Sequence, residues 1–225
     1  MKSVLSLREV EVTRGGRVLA SNVNLETKPG DLMALRGPSG SGKTTILRAI
    51  AALDPFERGA IEVGDIRLEA GRTPDRTTLH RLRRNVGLVF QFHCLFEHMS
   101  ALQNVCLAPI HVYGVSHQRA EQSARVLLKQ LGVDSRADAW PRELSGGEAQ
   151  RVAIARALAV DPPVLLMDEP MASLDSSRRA ELGALLQRLT SSGRALIVTT
   201  HDEAFARQFA TRVLTIEEGR VMERI

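Results

Sequence analysis

The amino-acid sequence predicts an α/β fold with a mostly parallel sheet, an N-terminal antiparallel β subdomain and an inserted helical subdomain. Three observations predict this arrangement. Apolar residues alternate over residues 1–30, strand-like and helix-like segments then follow one another, and residues 92–144 show helical spacing without a convincing strand. Strands that alternate with helices favour a parallel sheet covered on both faces.

The N-terminal elements follow from alternation and glycine turns. Residues 4–25 alternate between apolar and polar side chains, with an interruption at Gly15 and Gly16, which predicts antiparallel strands joined by a tight turn. A short apolar strand at 32–35 then runs into a glycine-rich turn. A helix over 44–53 follows and ends before Pro55, because proline does not continue a helix interior.

The later segments complete the sheet. We expect further strands at 60–68, 88–90, 164–167 and 195–199, helices at 147–159 and 176–189, and a final hairpin from 213–216 and 220–222. Within the helical segment, apolar residues recur at helical spacing up to Gly132: Ala120, Ala124, Leu127, Leu128 and Leu131. The prediction is one domain over residues 1–225, with a core at 1–91 and 145–225 and a helical subdomain at 92–144.

Composition narrows the class of protein. Hydrophobic residues make up 44% of the 225 residues and charged residues 25%, which is typical of a folded globular chain. The net charge of +4 is compatible with nucleic acid, nucleotide phosphates or a lipid surface, so it selects none of them. Two cysteines form no disulfide framework. Without a signal-peptide pattern or an apolar run of about 18 residues, we expect a cytoplasmic protein that reaches a membrane only through a partner.

The sharpest motif runs from Gly37 to Thr44 and matches the phosphate-binding P-loop pattern at every fixed position. Its glycines let backbone N–H groups surround phosphate oxygens, and the following helix points its positive end at them. Lys43 is expected to reach the β- and γ-phosphates and Thr44 to place its hydroxyl on Mg²⁺. The predicted nucleotide contacts of this loop are Gly37, Pro38, Ser39, Gly40, Ser41, Gly42, Lys43, Thr44 and Thr45. A chance glycine-rich turn is the alternative, but strand, loop and helix occur in the required order, which predicts a P-loop NTPase core.

Two carboxylates follow the apolar strand 164–167. They lie at its carboxyl end, where open α/β sheets bind their ligands. Asp168 is expected to hold Mg²⁺, directly or through water, and Glu169 to polarise a water molecule. A strand that ends in a solvated acidic turn is the alternative, and the P-loop makes it less favoured.

A second candidate anion site occurs at Leu144-Ser145-Gly146-Gly147-Glu148, followed by Gln150-Arg151. Ser145 and two glycines at a helix start offer free N–H groups, although Ser145 with Glu148 three residues later is also a helix capping box. Here the sequence resembles the ATP-binding subunits of ABC transporters, whose signature is LSGGQ followed by QR. The resemblance covers nearly the whole chain, and Glu148 replaces the fifth signature residue.

The resemblance implies ATP and Mg²⁺ as ligands, a second ATPase subunit (an identical one is the favoured expectation) and integral membrane permease subunits, with no nucleic acid partner. It implies a head-to-tail dimer in which Ser145, Gly146 and Gly147 close on the γ-phosphate bound by the other subunit. It further implies a peripheral location at the cytoplasmic face of the cell membrane.

Three smaller matches carry further roles by the same resemblance. Gln91 resembles the Q-loop glutamine, which contacts Mg²⁺ or the attacking water, and a solvated residue is the alternative. Asp175, in Ser173-Leu174-Asp175, resembles the D-loop aspartate at the dimer interface, and a helix N-cap is the alternative. His201 resembles the switch histidine that contacts the γ-phosphate. The other histidines are interpreted as surface or interface residues: His80, His93, His98, His111 and His117.

One position departs from the family pattern. An aromatic residue usually stacks on adenine before the P-loop strand, and here that position falls on Arg14. Arg14 is expected either to lie against the base as a weaker substitute or to point into solvent from its turn.

The type of transporter depends on shorter similarities. Residues 79–91, 95–96, 98–99, 104–105, 107–110 and 205–207 look like those of polar amino acid importer ATPases. Against this, Gln91-Phe92-His93 and Gly147-Glu148 resemble the lipoprotein-release and macrolide-export type. The importer is favoured. A soluble non-transport ABC ATPase and a P-loop kinase remain as alternatives, of which the kinase would not need residues 144–147.

Overall fold

A computed structural model of the chain describes residues 3–172 and 174–224, with residues 176 and 224 described by their backbone alone. Ser173 of the predicted D-loop lies outside the described residues. The described part contains these elements: β1 Leu5–Arg14, β2 Arg17–Thr27, β3 Leu32–Arg36, α1 Lys43–Ile50, β4 Arg58–Val63, β5 Ile66–Glu69, α2 Arg76–Asn85, β6 Val86–Val89, α3 Ala101–His111, α4 His117–Gln130, α5 Gly146–Leu158, β7 Val164–Asp168, α6 Ser176–Ser191, β8 Ala195–Thr199, α7 Glu203–Phe209, β9 Arg212–Glu217 and β10 Arg220–Arg224. Short 3₁₀ turns lie at Asp134–Arg136 and Pro141–Glu143.

The predicted mostly parallel sheet is confirmed. It has six strands in the order β10-β9-β3-β8-β7-β6, and all neighbouring pairs are parallel except the β9–β10 hairpin. In register, Asp168 at the end of β7 pairs with Thr199 at the end of β8. The carboxyl ends of β3, β7 and β8 therefore meet at one edge of the sheet, where the predicted site residues follow the strands.

The sheet is covered on both faces, because β7 and β8 are buried at every position. Leu165 and Met167 of β7 belong to one apolar core, which they share with helices α3 to α7. Val164 and Leu166 face the opposite core, which is formed with α1 and the antiparallel sheet. No helix in the described part of the chain is long and apolar enough to cross a bilayer.

The antiparallel β subdomain is also confirmed, as a four-stranded sheet in the order β2-β1-β4-β5. Gly15 and Gly16 join β1 to β2 with φ of 57° and 77°. Positive φ at both central residues is the requirement of a two-residue hairpin turn, and it explains why two glycines stand there.

Several predicted element bounds were wrong. The strand-like segment 60–68 lies in a hairpin of two strands, β4 and β5. The strand predicted at 88–90 starts earlier, at Val86, and its second residue is Gly87, which does not favour a strand in the sequence. Glycine is needed there because a Cβ would lie 3.0 Å from the Ala157 carbonyl oxygen. Helix α2 was not predicted. Its N-cap Asp75 accepts from the Thr78 N–H at 2.7 Å, but the helix carries only two apolar residues, Leu79 and Leu82, and of these Leu82 alone is buried.

Candidate active site

The loop between β3 and α1 has the backbone geometry that a phosphate cradle needs. Gly42 caps α1 with φ of 99°, where a side chain would be strained. A Cβ on Gly37 would lie 2.6 Å from Ser41 Oγ and 2.9 Å from the Ile216 carbonyl oxygen. The loop therefore tolerates no larger residue at Gly37, and its N–H groups lie at the start of a helix, where anions bind.

Lys43 is fixed across this loop. Its side chain is almost fully buried, and Nζ donates to the carbonyl oxygens of Gly37 and Pro38 at 2.8 and 3.0 Å. The same ammonium lies 3.7 Å from Oε1 of Glu169. The ammonium is thus held beside the loop by contacts within the protein.

Asp168 and Thr44 meet although they are far apart in sequence. The Thr44 hydroxyl donates to the Asp168 carboxylate, with oxygen–oxygen distances of 3.0 and 2.9 Å. Thr199 donates to the same carboxylate at 2.7 Å, and Asp168 is 7% exposed. Carboxylate and hydroxyl oxygens are the donors that Mg²⁺ prefers, so this pair fits the predicted metal site.

Glu169 lies just past β7, with φ of 45°. Its N–H donates to the Thr199 hydroxyl at 2.8 Å, which fixes the turn. Its carboxylate lies between Lys43 and His201, whose Nδ1 is 3.0 Å from Glu169 Oε2. The side chain of His201 is largely exposed, so it can face a ligand as well.

These side chains surround one cavity of about 770 Å³. The cavity is lined by Arg14, Leu19, Ser39, Gly40, Gly42, Lys43, Thr44, Thr45, Gln91, Glu169, Ala172 and His201. Gln91 is exposed at its edge, and Arg14, at the end of β1, lies in its wall together with Leu19. The predicted P-loop, Gln91, Glu169 and His201 are therefore brought together within one chain.

The signature segment lies elsewhere. Ser145 and Gly147 line a separate cavity of about 270 Å³, and α5 begins at Gly146. The capping box is present, because Glu148 accepts from the Ser145 N–H at 2.7 Å. This hydrogen bond is the main cause that lowers the pKa of Glu148. Asp175 caps α6 by accepting from the Arg178 N–H at 2.9 Å. Neither Ser145, Gly147 nor Asp175 lines the P-loop cavity of its own chain.

Sequence reasoning missed Thr199. Thr199 is fully buried and bonds both Asp168 and the backbone of Glu169, yet a threonine that ends a strand looks like an ordinary β-former. His93, interpreted from the sequence as a surface or interface residue, is half-buried. Burial lowers the pKa of its imidazole, and the side chain of Gln150 opposes that shift.

A P-loop, a strand-end Asp-Glu pair and a second anion-binding helix start on a different surface together define an ATP-binding cassette. Comparison with known proteins agrees. The family model described as ABC transporter matches residues 20–172. The chain is 41% identical over 210 residues to the L-cystine transport system ATP-binding protein TcyN of Escherichia coli (strain K12), covering 92% of this chain and 84% of that protein.

Two further similarities extend over nearly the whole chain. The arginine/ornithine transport ATP-binding protein AotP of Pseudomonas aeruginosa is 40% identical, with 97% of this chain and 89% of that protein covered. The dimeric post-hydrolysis structure of the ATP-binding cassette MJ0796 with ADP and phosphate has a TM-score of 0.85 at 34% identity, covering 98% and 97% of the two chains. The chain belongs to the ABC transporter family, as an ATP-binding subunit.

Proposed function

We propose that this subunit hydrolyses ATP to drive the import of polar amino acids, as a head-to-tail dimer bound to integral membrane permease subunits at the cytoplasmic face of the cell membrane. The observation that carries the proposal is the separation of the two anion-binding loops. One chain holds a P-loop cavity with Lys43, Glu169 and His201, and a signature loop with Ser145 that does not reach it. A second subunit, turned head to tail, supplies the missing loop to each cavity.

Residues of this chain divide the work at the phosphates. The N–H groups of the P-loop and the Lys43 ammonium bind the β- and γ-phosphates. Thr44 and Asp168, with Gln91 at the edge of the cavity, hold Mg²⁺, which neutralises phosphate charge when bound. In the described part of the chain, no group of three or more His, Cys, Asp or Glu is placed to hold a metal.

Glu169 accepts the proton of the attacking water. Its carboxylate is fixed by the Thr199 bond to its own backbone and by His201 at 3.0 Å. His201 holds that carboxylate on one side and faces the γ-phosphate on the other. The positioned acceptor, rather than its charge alone, is what general-base catalysis needs.

The direction of transport and the transported substrate are proposed from the similar proteins, and not from the P-loop cavity. The similar proteins are described as cystine, glutamine and arginine/ornithine transport proteins, which supports an importer of polar amino acids. A lipoprotein-release or macrolide-export system is the alternative. Uptake of labelled cystine, glutamine and arginine into proteoliposomes that contain the chain with its co-purified permease, and that enclose ATP in the lumen, separates the two. Luminal ATP drives an importer to take up substrate and an exporter to expel it.

The permease is proposed to contact the segment after Gln91. Of its apolar side chains, Leu102 is buried and Leu95 packs against the core, so these two stabilise the helical subdomain itself. Phe92 is 82% exposed and Phe96 43% exposed, beside Gln91. Large exposed aromatic side chains beside the active site are typical of an interface.

Trapping experiments test the ATPase and the dimer. Glu169→Gln keeps the shape and hydrogen bonding of the side chain but cannot accept the proton, so it should bind ATP and sediment as a dimer. Lys43→Ala should bind no ATP and stay monomeric. Glu121→Gln, an exposed carboxylate on α4, is the matched control and should behave like the parent. A strictly monomeric Glu169→Gln at high protein and ATP concentration refutes the head-to-tail site.

A further inference from the structure

Arg179 occupies an unfavourable place for a cation. It lies in the first turn of α6, which carries no acidic residue after the N-cap Asp175. The N-terminal end of a helix dipole is positive and disfavours Lys and Arg. A positive charge at this point therefore needs specific partners to offset it.

Arg179 has two partners, on two different loops. Its Nε donates to the Leu174 carbonyl oxygen at 2.9 Å, in the loop after β7. Its Nη1 donates to Oδ2 of Asp202 at 2.9 Å, in the loop after β8. The Asp202 side chain is 15% exposed, so solvent screens this ion pair less than a fully exposed one. Because a guanidinium is planar with donors in fixed directions, it holds the two loops at a defined separation.

Asp202 transmits this link to His201. Its second carboxylate oxygen accepts from the Phe205 N–H at 2.9 Å, at the start of α7, and its own N–H donates to Thr200 Oγ1 at 3.0 Å. The backbone that carries His201 is thus fixed through its neighbours. Contacts then run continuously from Leu174 through Arg179 and Asp202 to His201, and from His201 to Glu169.

We infer that Arg179 is a positioning residue that couples the Leu174–Asp175 segment to His201. The inference rests on the proposed function, in which Asp175 faces the second subunit and His201 the γ-phosphate. When the partner subunit displaces Asp175, the guanidinium moves the Asp202 loop with it and sets His201 against Glu169. Neither hydrogen bond of Arg179 is to a residue that lines the P-loop cavity. A change at Arg179 should therefore alter turnover without altering ATP affinity.

The test compares Arg179→Leu, Arg179→Lys and Asp202→Asn with Arg188→Leu. Arg188 is an exposed arginine in the last turn of the same helix and serves as the matched control. We expect Arg179→Leu to lower kcat about tenfold with an ATP Kd within about twofold of the parent, because a small misplacement near the reacting atoms acts on turnover. Arg179→Lys should be intermediate. Asp202→Asn keeps the helix cap but loses the ion pair. The double variant of Arg179→Leu and Asp202→Asn should have a kcat no lower than that of Arg179→Leu alone, because both changes break the same link.

A second readout needs no nucleotide. The NMR resonance of the His201 ring Cε1–H should shift in Arg179→Leu and Asp202→Asn and stay in place in Arg188→Leu. An unmoved resonance overturns the inference, even if kcat falls together with thermal stability. A parental kcat in Arg179→Leu overturns it as well. If Arg179→Leu does not fold, Arg179→Lys and Asp202→Asn decide by the same criteria. If the parent hydrolyses no ATP, the proposed function fails, and the His201 resonance alone still supports or overturns the coupling.

Discussion

Thr199→Val is the substitution we expect to disturb the active site most without touching a ligand. Thr199 is fully buried, and its hydroxyl makes two hydrogen bonds, to the Asp168 carboxylate at 2.7 Å and from the Glu169 N–H at 2.8 Å. Valine has almost the same shape, so no cavity is formed. Both bonds disappear, however, and the Glu169 N–H loses its partner.

The magnitude follows from the two bonds. An unsatisfied buried donor costs about 1–3 kcal/mol, and a lost hydrogen bond to a charged group about 1.5–3 kcal/mol. Asp168 keeps its bond to Thr44, and neighbouring contributions do not add fully, so we expect a loss of about 2–4 kcal/mol in the free energy of unfolding. For a chain of this size each kcal/mol corresponds to about 2–4 °C, so Tm should fall by about 5–15 °C.

Urea unfolding and thermal denaturation measure this loss, with Thr27→Val as the matched control. Thr27 is equally buried, and its hydroxyl has no hydrogen-bond partner among the described residues. The same substitution there should be neutral or stabilising, because it removes an unsatisfied polar atom. If Thr199→Val lies within about 0.5 kcal/mol of Thr27→Val, the two bonds do not stabilise the site and the reasoning fails.

Three further outcomes are expected. If Arg14 lies against the base, Arg14→Ala should weaken ATP binding and Arg14→Tyr should tighten it, within the one to two powers of ten that stacking of about 1–3 kcal/mol allows, as measured by titration; identical affinities would place the base elsewhere. Phe92→Glu should abolish coupled transport and leave basal ATPase activity intact, since Phe92 is 82% exposed; unimpaired transport in proteoliposomes would exclude it from the permease interface. The hydrogen bond from Ser145 lowers the pKa of Glu148 below its usual 4.5, so the Glu148 carboxylate stabilises the fold above that pH and loses this effect as the pH falls through the folded-state pKa. The difference in unfolding free energy between the parent and Glu148→Gln should therefore shrink in acid. A difference that does not change with pH would contradict this.

The parts of the fold that the sequence predicted are those in which local chemistry leaves few choices. The P-loop requires glycine at Gly37 and Gly42 for steric and conformational reasons that no other residue meets. The strands around Leu165 and Leu196 are buried on both faces, so they read as continuous apolar runs. In these segments the pattern and the structure have the same cause.

The rest depends on contacts between distant segments. Helix α2 buries Leu82 and is otherwise half-buried or exposed, so it has too few apolar residues to be predicted as a helix from its sequence. Thr199 became recognisable as a site residue only when the register of β7 and β8 placed it beside Asp168. The hydrogen bond from Arg179 to Asp202 joins helix α6 to the loop after β8, and the spacing of these residues in the sequence does not predict it.

The contacts around Lys43 also indicate how nucleotide binding prepares the base. The Lys43 ammonium lies 3.7 Å from the Glu169 carboxylate, the one acidic side chain that pairs with it in the described part of the chain. A bound γ-phosphate brings a stronger anion to the same ammonium and repels the carboxylate. The Thr199 hydroxyl fixes the backbone of Glu169, and His201 contacts its carboxylate on the side away from Lys43. We therefore expect phosphate binding to weaken the contact between Lys43 and Glu169, which would couple substrate binding to the availability of the general base.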